Sequence, residues 1–138
     1  MSHKSSEPEP RPLSVFLVED DTLIQMMVAD MIEELGHSVT AQASDLNQAL
    51  SLAQTADFDV AILDVNLKGQ RIDPVAEALS RRDLPFIFAS GYRKGCRIVC
   101  FRDRPTLQKP FVLSQLAEAI EAALRTSRDA GAHTDSRQ

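Results

Sequence analysis

The sequence predicts an α/β domain built around a parallel β-sheet. Short apolar runs alternate with longer segments of helical periodicity, the pattern of strands that are joined through helices. The run at residues 60–63 is apolar at every position, which is typical of a strand buried on both faces. Five such strands joined by right-handed crossovers would bring their carboxyl ends to one edge of the sheet, where ligand crevices form.

The composition describes one folded domain. Of 138 residues, 43% are hydrophobic and 25% are charged, so the chain can bury a core. The net charge of -5 argues against a nucleic-acid-binding protein, which needs a basic surface. No apolar run approaches the roughly 18–20 residues that cross a bilayer, and the N-terminus lacks the apolar centre of a signal peptide. We therefore expect a cytoplasmic protein whose two cysteines form no disulfide.

Taken in order, the chain predicts a disordered, proline-rich leader at residues 1–12, a folded domain at 13–125 and a flexible tail at 126–138. Mainly apolar runs predict strands at 13–18, 60–64 and 85–89, and two short strands are predicted at 37–41 and 106–108. Helical periodicity predicts helices at 22–35, 45–55, 72–82 and 113–124. Loops are expected in between, and the least regular of them is the locally basic segment 93–105.

Local signals support these boundaries. Asp21 favours the first turn of the first helix, Gly36 ends that helix, and Asp45 caps the second. Proline is tolerated in a first helical turn, so Pro74 is compatible with the start of the third helix. Within the first helix, the adjacent residues Met26 and Met27 are expected to fill the core.

Carboxylates follow two of the predicted strands. Glu19, Asp20 and Asp21 come directly after the first strand, and Asp64 ends the third. Clustered carboxylates repel one another unless a cation or hydrogen bonds compensate, and Mg²⁺ prefers such hard oxygen ligands. Helix capping is the alternative for the first cluster, and a simple turn is the alternative for Asp64.

A hydroxyl and an amine follow the last two strands. Ser90 comes after the fourth strand and before a glycine, and Lys109 comes after the fifth and before a proline. Taken alone, a Ser-Gly turn and a surface lysine would explain them. Placed at the same edge as the acids, they complete a set suited to phosphoryl transfer onto a carboxylate, with the metal and the lysine neutralising phosphoryl oxygens.

These motifs resemble the receiver domain of bacterial two-component response regulators, over about residues 13–125. The matching positions are an acidic pair, an aspartate, a hydroxyl residue and a Lys-Pro-Phe sequence, in the family's order: Glu19-Asp20, Asp64, Ser90 and Lys109-Pro110-Phe111. The resemblance implies a flavodoxin-like (βα)5 doubly wound parallel sheet with strand order 2-1-3-4-5. It also implies a phosphoacceptor signalling protein rather than an enzyme that acts on other substrates.

The resemblance also assigns roles to residues. Asp64 would be the phosphoacceptor, assisted by Ser90 and Lys109. Mg²⁺ would be bound by Asp64, directly by Asp20, through water by Glu19, and by the backbone carbonyl of Asn66. A histidine kinase or a histidine phosphotransfer protein would supply the phosphoryl group. We expect no output domain, so the protein would act on a downstream protein or serve as a phosphate sink, as a monomer or a weak phosphorylation-dependent dimer, without binding nucleic acid or membrane.

Two departures from the common receiver pattern concern switching. The position three residues before the lysine is usually aromatic, and here it is Thr106. The sequence Phe-Ala-Ser-Gly-Tyr at 88–92 resembles the Phe-Ala-Thr-Gly-Tyr signature of the FATGUY subgroup of receivers. We hypothesise that phosphorylation moves Ser90 toward Asp64, changes the packing of Tyr92 and orders the segment that follows it.

Two other functions are considered. A pseudo-receiver would bind a partner without phosphorylation, and the missing aromatic residue keeps this alternative open. A phosphatase of the haloacid dehalogenase type also uses Asp, Ser or Thr, Lys and Mg²⁺. Such enzymes usually carry a second aspartate two residues after the nucleophile, where this chain has Asn66.

Overall fold

A five-stranded parallel sheet forms the centre of the computed structural model, which describes residues 12–91 and 104–137, with side chains as far as residue 125. Its strands are β1 (Ser14–Val18), β2 (Ser38–Ala43), β3 (Val60–Asp64), β6 (Phe86–Ser90) and β7 (Thr106–Gln108). A short antiparallel hairpin, β4 (Asn66–Leu67) and β5 (Gln70–Arg71), lies between β3 and β6 in the chain. The helices are α1 (Thr22–Glu34), α2 (Leu46–Thr55), α3 (Asp73–Arg81) and α4 (Leu113–Arg137).

The strand order in the sheet is β2-β1-β3-β6-β7, and all neighbouring pairs are parallel. With the two hairpin strands set aside, this is the predicted order 2-1-3-4-5, so the flavodoxin-like fold is confirmed. Strand β3 lies at the centre and is buried along its whole length, as its apolar sequence predicts. The carboxyl ends of β1, β3, β6 and β7 consequently meet at one edge.

Two apolar layers hold the helices against the two faces of the sheet. Alternate residues of β3 point to opposite faces. Ala61 and Leu63 pack in the layer that includes residues of α2 and α3, whereas Val60 and Ile62 pack in the layer that includes residues of α1 and α4. The sheet is therefore covered on both sides, and its functional groups can be exposed only at an edge.

The helix ends follow the predicted local chemistry. The Asp21 side chain accepts hydrogen bonds from the N–H groups of Leu23 and Ile24, and that of Asp45 accepts one from Gln48. These bonds satisfy N–H groups that a helix leaves without internal partners.

The core-filling role predicted for Met26 and Met27 is wrong. The two side chains are 59% and 54% exposed, and Leu23 nearby is 66% exposed. The buried residues of α1 are Val28 and Ile32 instead. Apolar residues lie on two adjacent faces of α1. Periodicity alone does not say which of these faces packs against the sheet.

Three segments extend beyond or depart from their predicted form. Strand β2 runs to Ala43 because its last residues pair with the end of β1. Residues 66–71 form a hairpin rather than a loop, with Lys68 and Gly69 at positive φ angles of 52° and 81°. Helix α4 continues to Arg137, and residues 125–137 contain no proline that would interrupt its backbone hydrogen bonds.

Some predictions lie outside the described residues. They are the predictions for Tyr92 and for most of segment 93–105, since residues 92–103 are not described. Among the helices that the structure describes, none is both long enough and apolar enough to span a membrane.

Candidate functional site

A groove of about 620 Å³ lies at the edge formed by the carboxyl ends of the strands. One part of its wall is polar and is formed by Glu19, Asp20, Asp64, Asn66, Ser90 and Lys109. Another part is apolar and includes residues of α1 and of the segment after β7, namely Ile24, Met27, Val28, Met31 and Phe111. The strand ends that the sequence indicates therefore do converge on one cavity.

Three carboxylates face one another in this groove. Glu19, Asp20 and Asp64 each offer an oxygen, and these oxygens lie within 4.8 Å of one another. Glu19 and Asp64 are only 3% and 7% exposed, which makes their mutual repulsion stronger than it would be in water. The donor set consists of hard oxygens at the ends of two neighbouring strands and fits a divalent cation such as Mg²⁺.

The carboxylate oxygens differ in the partners they already have. Glu19 uses both of its oxygens, since Oε1 accepts a hydrogen bond from Lys109 Nζ at 2.7 Å and Oε2 accepts one from the Asp21 N–H at 3.1 Å. Asp20 Oδ2 accepts a hydrogen bond from the Lys68 N–H at 2.9 Å. Asp20 Oδ1 has no hydrogen-bond partner among residues 12–91 and 104–125. Asp20 therefore offers a cation an oxygen that bears no hydrogen bond from the described residues, whereas each Glu19 oxygen already accepts one.

Asp64 is held at the end of β3 between a backbone donor and a cation. Its Oδ1 accepts a hydrogen bond from the Asn66 N–H at 3.2 Å, and its Oδ2 lies 3.5 Å from Lys109 Nζ. Burial raises the pKa of Asp64 to about 6, and the charges of Glu19 and Asp20 act in the same direction. Lys109 and the Asn66 N–H offset this effect only in part. Asp64 is therefore ionised at neutral pH, but less firmly than an exposed aspartate.

Lys109 is fixed by both its backbone and its side chain. Its N–H donates to the carbonyl oxygen of Ser90 at 2.8 Å, which joins the end of β7 to the end of β6. Burial alone would lower the pKa of the Lys109 amine, but the hydrogen bond to Glu19 and the charge of Asp64 outweigh it, so the pKa is raised. The amine consequently stays protonated beside Asp64.

Of two further predicted site residues, Ser90 lines the groove and Thr106 does not. Ser90 is 5% exposed and lines the groove with Asp64. Thr106 is exposed on β7, in register with Phe88, and does not line the groove.

Sequence reasoning missed two parts of the site. The first is the backbone N–H of Lys68, which reaches Asp20 from a hairpin that was expected to be a loop. A Lys-Gly pair between short flanking segments is a weak hairpin signal, since such turns favour Asn-Gly. The second is the apolar wall formed by α1, which periodicity could not orient.

An acid-lined groove at the carboxyl edge of a 2-1-3-4-5 sheet defines a flavodoxin-like domain of the receiver type. The chain belongs to the family of response regulator receiver domains, whose family model matches residues 15–121. Receiver domains are signalling domains, so the class predicted from the motifs is confirmed.

Similar solved structures are receiver domains as well. The solution structure of SdrG from Sphingomonas melonis Fr1 matches with a TM-score of 0.75 and 41% identity, over 84% of this chain and 99% of that one. A BeF3-activated conformation of SdrG matches with a TM-score of 0.68 and 43% identity, over 79% of this chain and 93% of that one. The receiver domain of the response regulator PhyR from Erythrobacter litoralis matches with a TM-score of 0.67 and 29% identity, over 82% and 90%.

Among curated proteins, the transcriptional regulatory protein PdtaR of Mycobacterium tuberculosis H37Rv is 32% identical over 122 residues. The match covers 86% of this chain but only 60% of PdtaR, so the chain spans less than two thirds of that relative's length.

Proposed function

We propose that this receiver domain accepts a phosphoryl group on Asp64 in a Mg²⁺-dependent reaction, with a histidine kinase or a histidine phosphotransfer protein as donor. The observation that carries the proposal is the arrangement around Asp64. Oxygens of Glu19, Asp20 and Asp64 lie within 4.8 Å of one another. The Asp64 carboxylate also lies 3.5 Å from the amine of Lys109. Phosphoryl transfer needs such an arrangement, because the nucleophile and the charges that stabilise the phosphoryl oxygens must be held in place together.

In the proposed reaction, an oxygen of Asp64 forms a bond to phosphorus as the bond between phosphorus and the donor's imidazole nitrogen breaks. The electron pair of the broken bond stays on the imidazole. Asp64 must be ionised to act as the nucleophile, and a pKa of about 6 meets this condition at neutral pH. Bound Mg²⁺ would neutralise negative charge on the phosphoryl oxygens.

Other side chains would bind the phosphoryl group once it is attached. The protonated amine of Lys109 lies beside Asp64 and would donate to one phosphoryl oxygen. The buried hydroxyl of Ser90 lines the same groove and would donate to another. Asp20 would bind the cation directly through its unpaired oxygen, Glu19 would act through water, and the carbonyl of Asn66 would complete the set.

The proposed output is contact with another protein, or storage of the phosphoryl group as a sink. The proposed switch is movement of Ser90 toward Asp64 with a change at Tyr92. The solved BeF3-activated conformation of SdrG, at 43% identity, supports by similarity a response of this chain to a phosphoryl mimic. Thr106 is too small and too exposed for the aromatic part of a switch, so the segment after Gly91 would carry it.

The test is treatment of the purified protein with acetyl phosphate, or with beryllofluoride as a phosphoryl mimic, with and without Mg²⁺. We expect Mg²⁺-dependent modification that disappears in Asp64→Ala and Asp64→Asn. A well-folded wild-type protein that is not modified would contradict the proposal and favour a pseudo-receiver. Turnover of p-nitrophenyl phosphate by the wild-type protein would favour a phosphatase instead.

The phosphoryl donor is proposed to dock on an apolar patch of α1 consisting of Leu23, Met26 and Met27. All three side chains are more than half exposed, and Met27 also lines the groove that holds Asp64. A protein that brings a phosphohistidine to Asp64 must cover this rim, and covering it removes apolar surface from water.

Donor docking is tested with Leu23→Gln and Met26→Gln, which remove apolar surface without adding charge. We expect phosphoryl transfer from a cognate phosphohistidine protein to slow by about tenfold. Modification by acetyl phosphate is the internal control and should keep its wild-type rate, since this small donor needs no docking surface. Equal slowing with both donors would argue against docking at α1.

A further inference from the structure

The β4–β5 hairpin contacts two of the three carboxylates of the site through its backbone. The N–H of Asn66 donates to Asp64 Oδ1 at 3.2 Å, and the N–H of Lys68 donates to Asp20 Oδ2 at 2.9 Å. Asp64 and Asp20 follow different strands, and 48 residues separate Lys68 from Asp20 in the chain. One short element thus joins two carboxylates that would otherwise be placed independently.

The N–H of Lys68 is available because of the hairpin's turn. The strand pairs are Asn66 with Arg71 and Leu67 with Gln70, so Lys68 and Gly69 form a two-residue turn outside the ladder. Lys68 has a φ angle of 52° and Gly69 a φ angle of 81°, and turns of this kind need positive φ at both positions. Asn or Gly suits the first position better than Lys, whose side chain disfavours the left-handed region.

The hairpin is anchored at its base and exposed at its tip. Leu67 is fully buried and packs in the same apolar layer as Ile72 and Val75, which fixes the hairpin to the body of the domain. Lys68 and Gly69 at the tip are exposed. Among the residues with described side chains, the Lys68 N–H is the one hydrogen-bond donor to the Asp20 carboxylate.

We infer that the β4–β5 hairpin is a positioning element for Asp20, acting through the backbone N–H of Lys68, and that it sets the affinity of the site for Mg²⁺. The inference rests on the proposed function of the groove. The hydrogen bond fixes one oxygen of Asp20 and leaves the other for the cation. Because coupling between two equilibria is reciprocal, cation binding also stabilises the hairpin.

The test compares two substitutions that change the charge equally and the turn differently. Lys68→Asn and Lys68→Gln both remove one positive charge, but only Asn is well suited to the left-handed conformation of this position. If the hairpin positions Asp20, the unphosphorylated Lys68→Asn protein binds Mg²⁺ about threefold more tightly than the Lys68→Gln protein, because more molecules carry the competent hairpin. The dissociation constants are measured by titration followed by NMR.

A third variant, Gly69→Val, weakens the turn. A β-carbon at Gly69 meets no atom within 4 Å, so the substitution acts through backbone conformation rather than through a clash. We expect about tenfold weaker Mg²⁺ binding and faster exchange of the Lys68 amide, with the melting temperature in the absence of Mg²⁺ lowered by only a few degrees by the strain at residue 69.

Equal dissociation constants for Lys68→Asn and Lys68→Gln, together with wild-type affinity in Gly69→Val, would overturn the inference. In that case Mg²⁺-dependent modification of the wild-type protein would leave the proposed function standing. If the wild-type protein bound no Mg²⁺, the proposed function itself would fail, and the inference with it.

Discussion

The two edges of the sheet use ionisable residues in opposite ways. At the amino edge, such side chains are bound to backbone groups. Asp59 Oδ2 accepts from the Ser14 N–H at 2.8 Å, and Arg82 donates to the carbonyl oxygens of Ala53 and Ala56 at 2.6 and 2.9 Å. At the carboxyl edge, Glu19, Asp20 and Asp64 each accept a backbone N–H as well, but they also face one another, with oxygens within 4.8 Å.

The difference separates ionisable groups that stabilise the fold from those that form the candidate site. A charged side chain bound to backbone groups satisfies donors or acceptors that would otherwise be buried without partners, and this stabilises the native state. Carboxylates set against one another destabilise it unless a cation or hydrogen bonds compensate. The acids of the carboxyl edge therefore lower native-state stability at the site proposed to bind a cation and a phosphoryl group. Substitutions at the two edges should change the free energy of unfolding with opposite signs.

The largest effect is expected from Arg82→Ala at the amino edge. This substitution removes two hydrogen bonds to carbonyl oxygens at the end of α2 and the packing of the guanidinium 5.9 Å from the centre of the Phe58 ring. We expect a loss of about 2–3 kcal/mol in the free energy of unfolding, measured with urea, and unchanged Mg²⁺ affinity.

Arg81→Ala is the matched control for Arg82. Arg81 is the preceding residue, its side chain is 72% exposed, and its ion pair with Glu77 is 3.9 Å long. It should change the free energy of unfolding by less than about 0.5 kcal/mol. Similar losses in the two variants would mean that the backbone contacts of Arg82 do not stabilise the amino edge.

The next effect is a gain in stability from Asp64→Asn at the carboxyl edge. The folded-state pKa of Asp64 is raised to about 6, so ionisation of this group destabilises the native state at neutral pH. We expect Asp64→Asn to stabilise the Mg²⁺-free protein by about 1–2 kcal/mol at pH 7. The wild type becomes relatively more stable as pH falls from 6 toward 4, because its folded state takes up a proton there, so the gain should shrink over that range.

Asp59→Ala, which also removes an aspartate, should change the free energy of unfolding in the opposite direction. Asp59 accepts hydrogen bonds from both the N–H and the hydroxyl of Ser14, so its removal should destabilise the protein by about 1 kcal/mol at pH 7. Urea unfolding of both variants in Mg²⁺-free buffer makes the comparison. If Asp64→Asn also destabilised the protein, the repulsion inferred at the carboxyl edge would be absent.

The smallest effect concerns His37 at the amino edge. Its Nδ1 accepts a hydrogen bond from the Leu13 N–H at 3.0 Å, which requires a neutral ring. Burial lowers the pKa of His37, and the charge of Asp59 opposes this in part. Because the unfolded chain takes up a proton on His37 before the folded one does, this residue makes stability fall as pH drops below 6.5. In His37→Gln, the free energy of unfolding should therefore fall less between pH 7 and pH 5.5 than it does in the wild type. Urea unfolding that shows the same fall in both proteins would refute this prediction.

Much of the site could be predicted because it depends on where strands end. Asp64 and Ser90 come at the ends of apolar runs and Lys109 follows a short predicted strand, and parallel strands must bring such positions to one edge. The hairpin could not be predicted in the same way, since its turn holds Lys68 in a conformation that lysine disfavours. The exposure of Met26 and Met27 could not be predicted either, because the burial of a helix face depends on what packs against it.

The sequence by itself determined the α/β class, the strand order through its family motifs, and the set of residues at the carboxyl edge. Only the tertiary structure decided which oxygens are paired. Lys109 reaches Glu19 across 90 residues of chain, and Lys68 reaches Asp20 across 48. Local sequence controls local conformation through backbone and side-chain preferences, whereas hydrogen bonds between distant segments depend on how the whole chain packs.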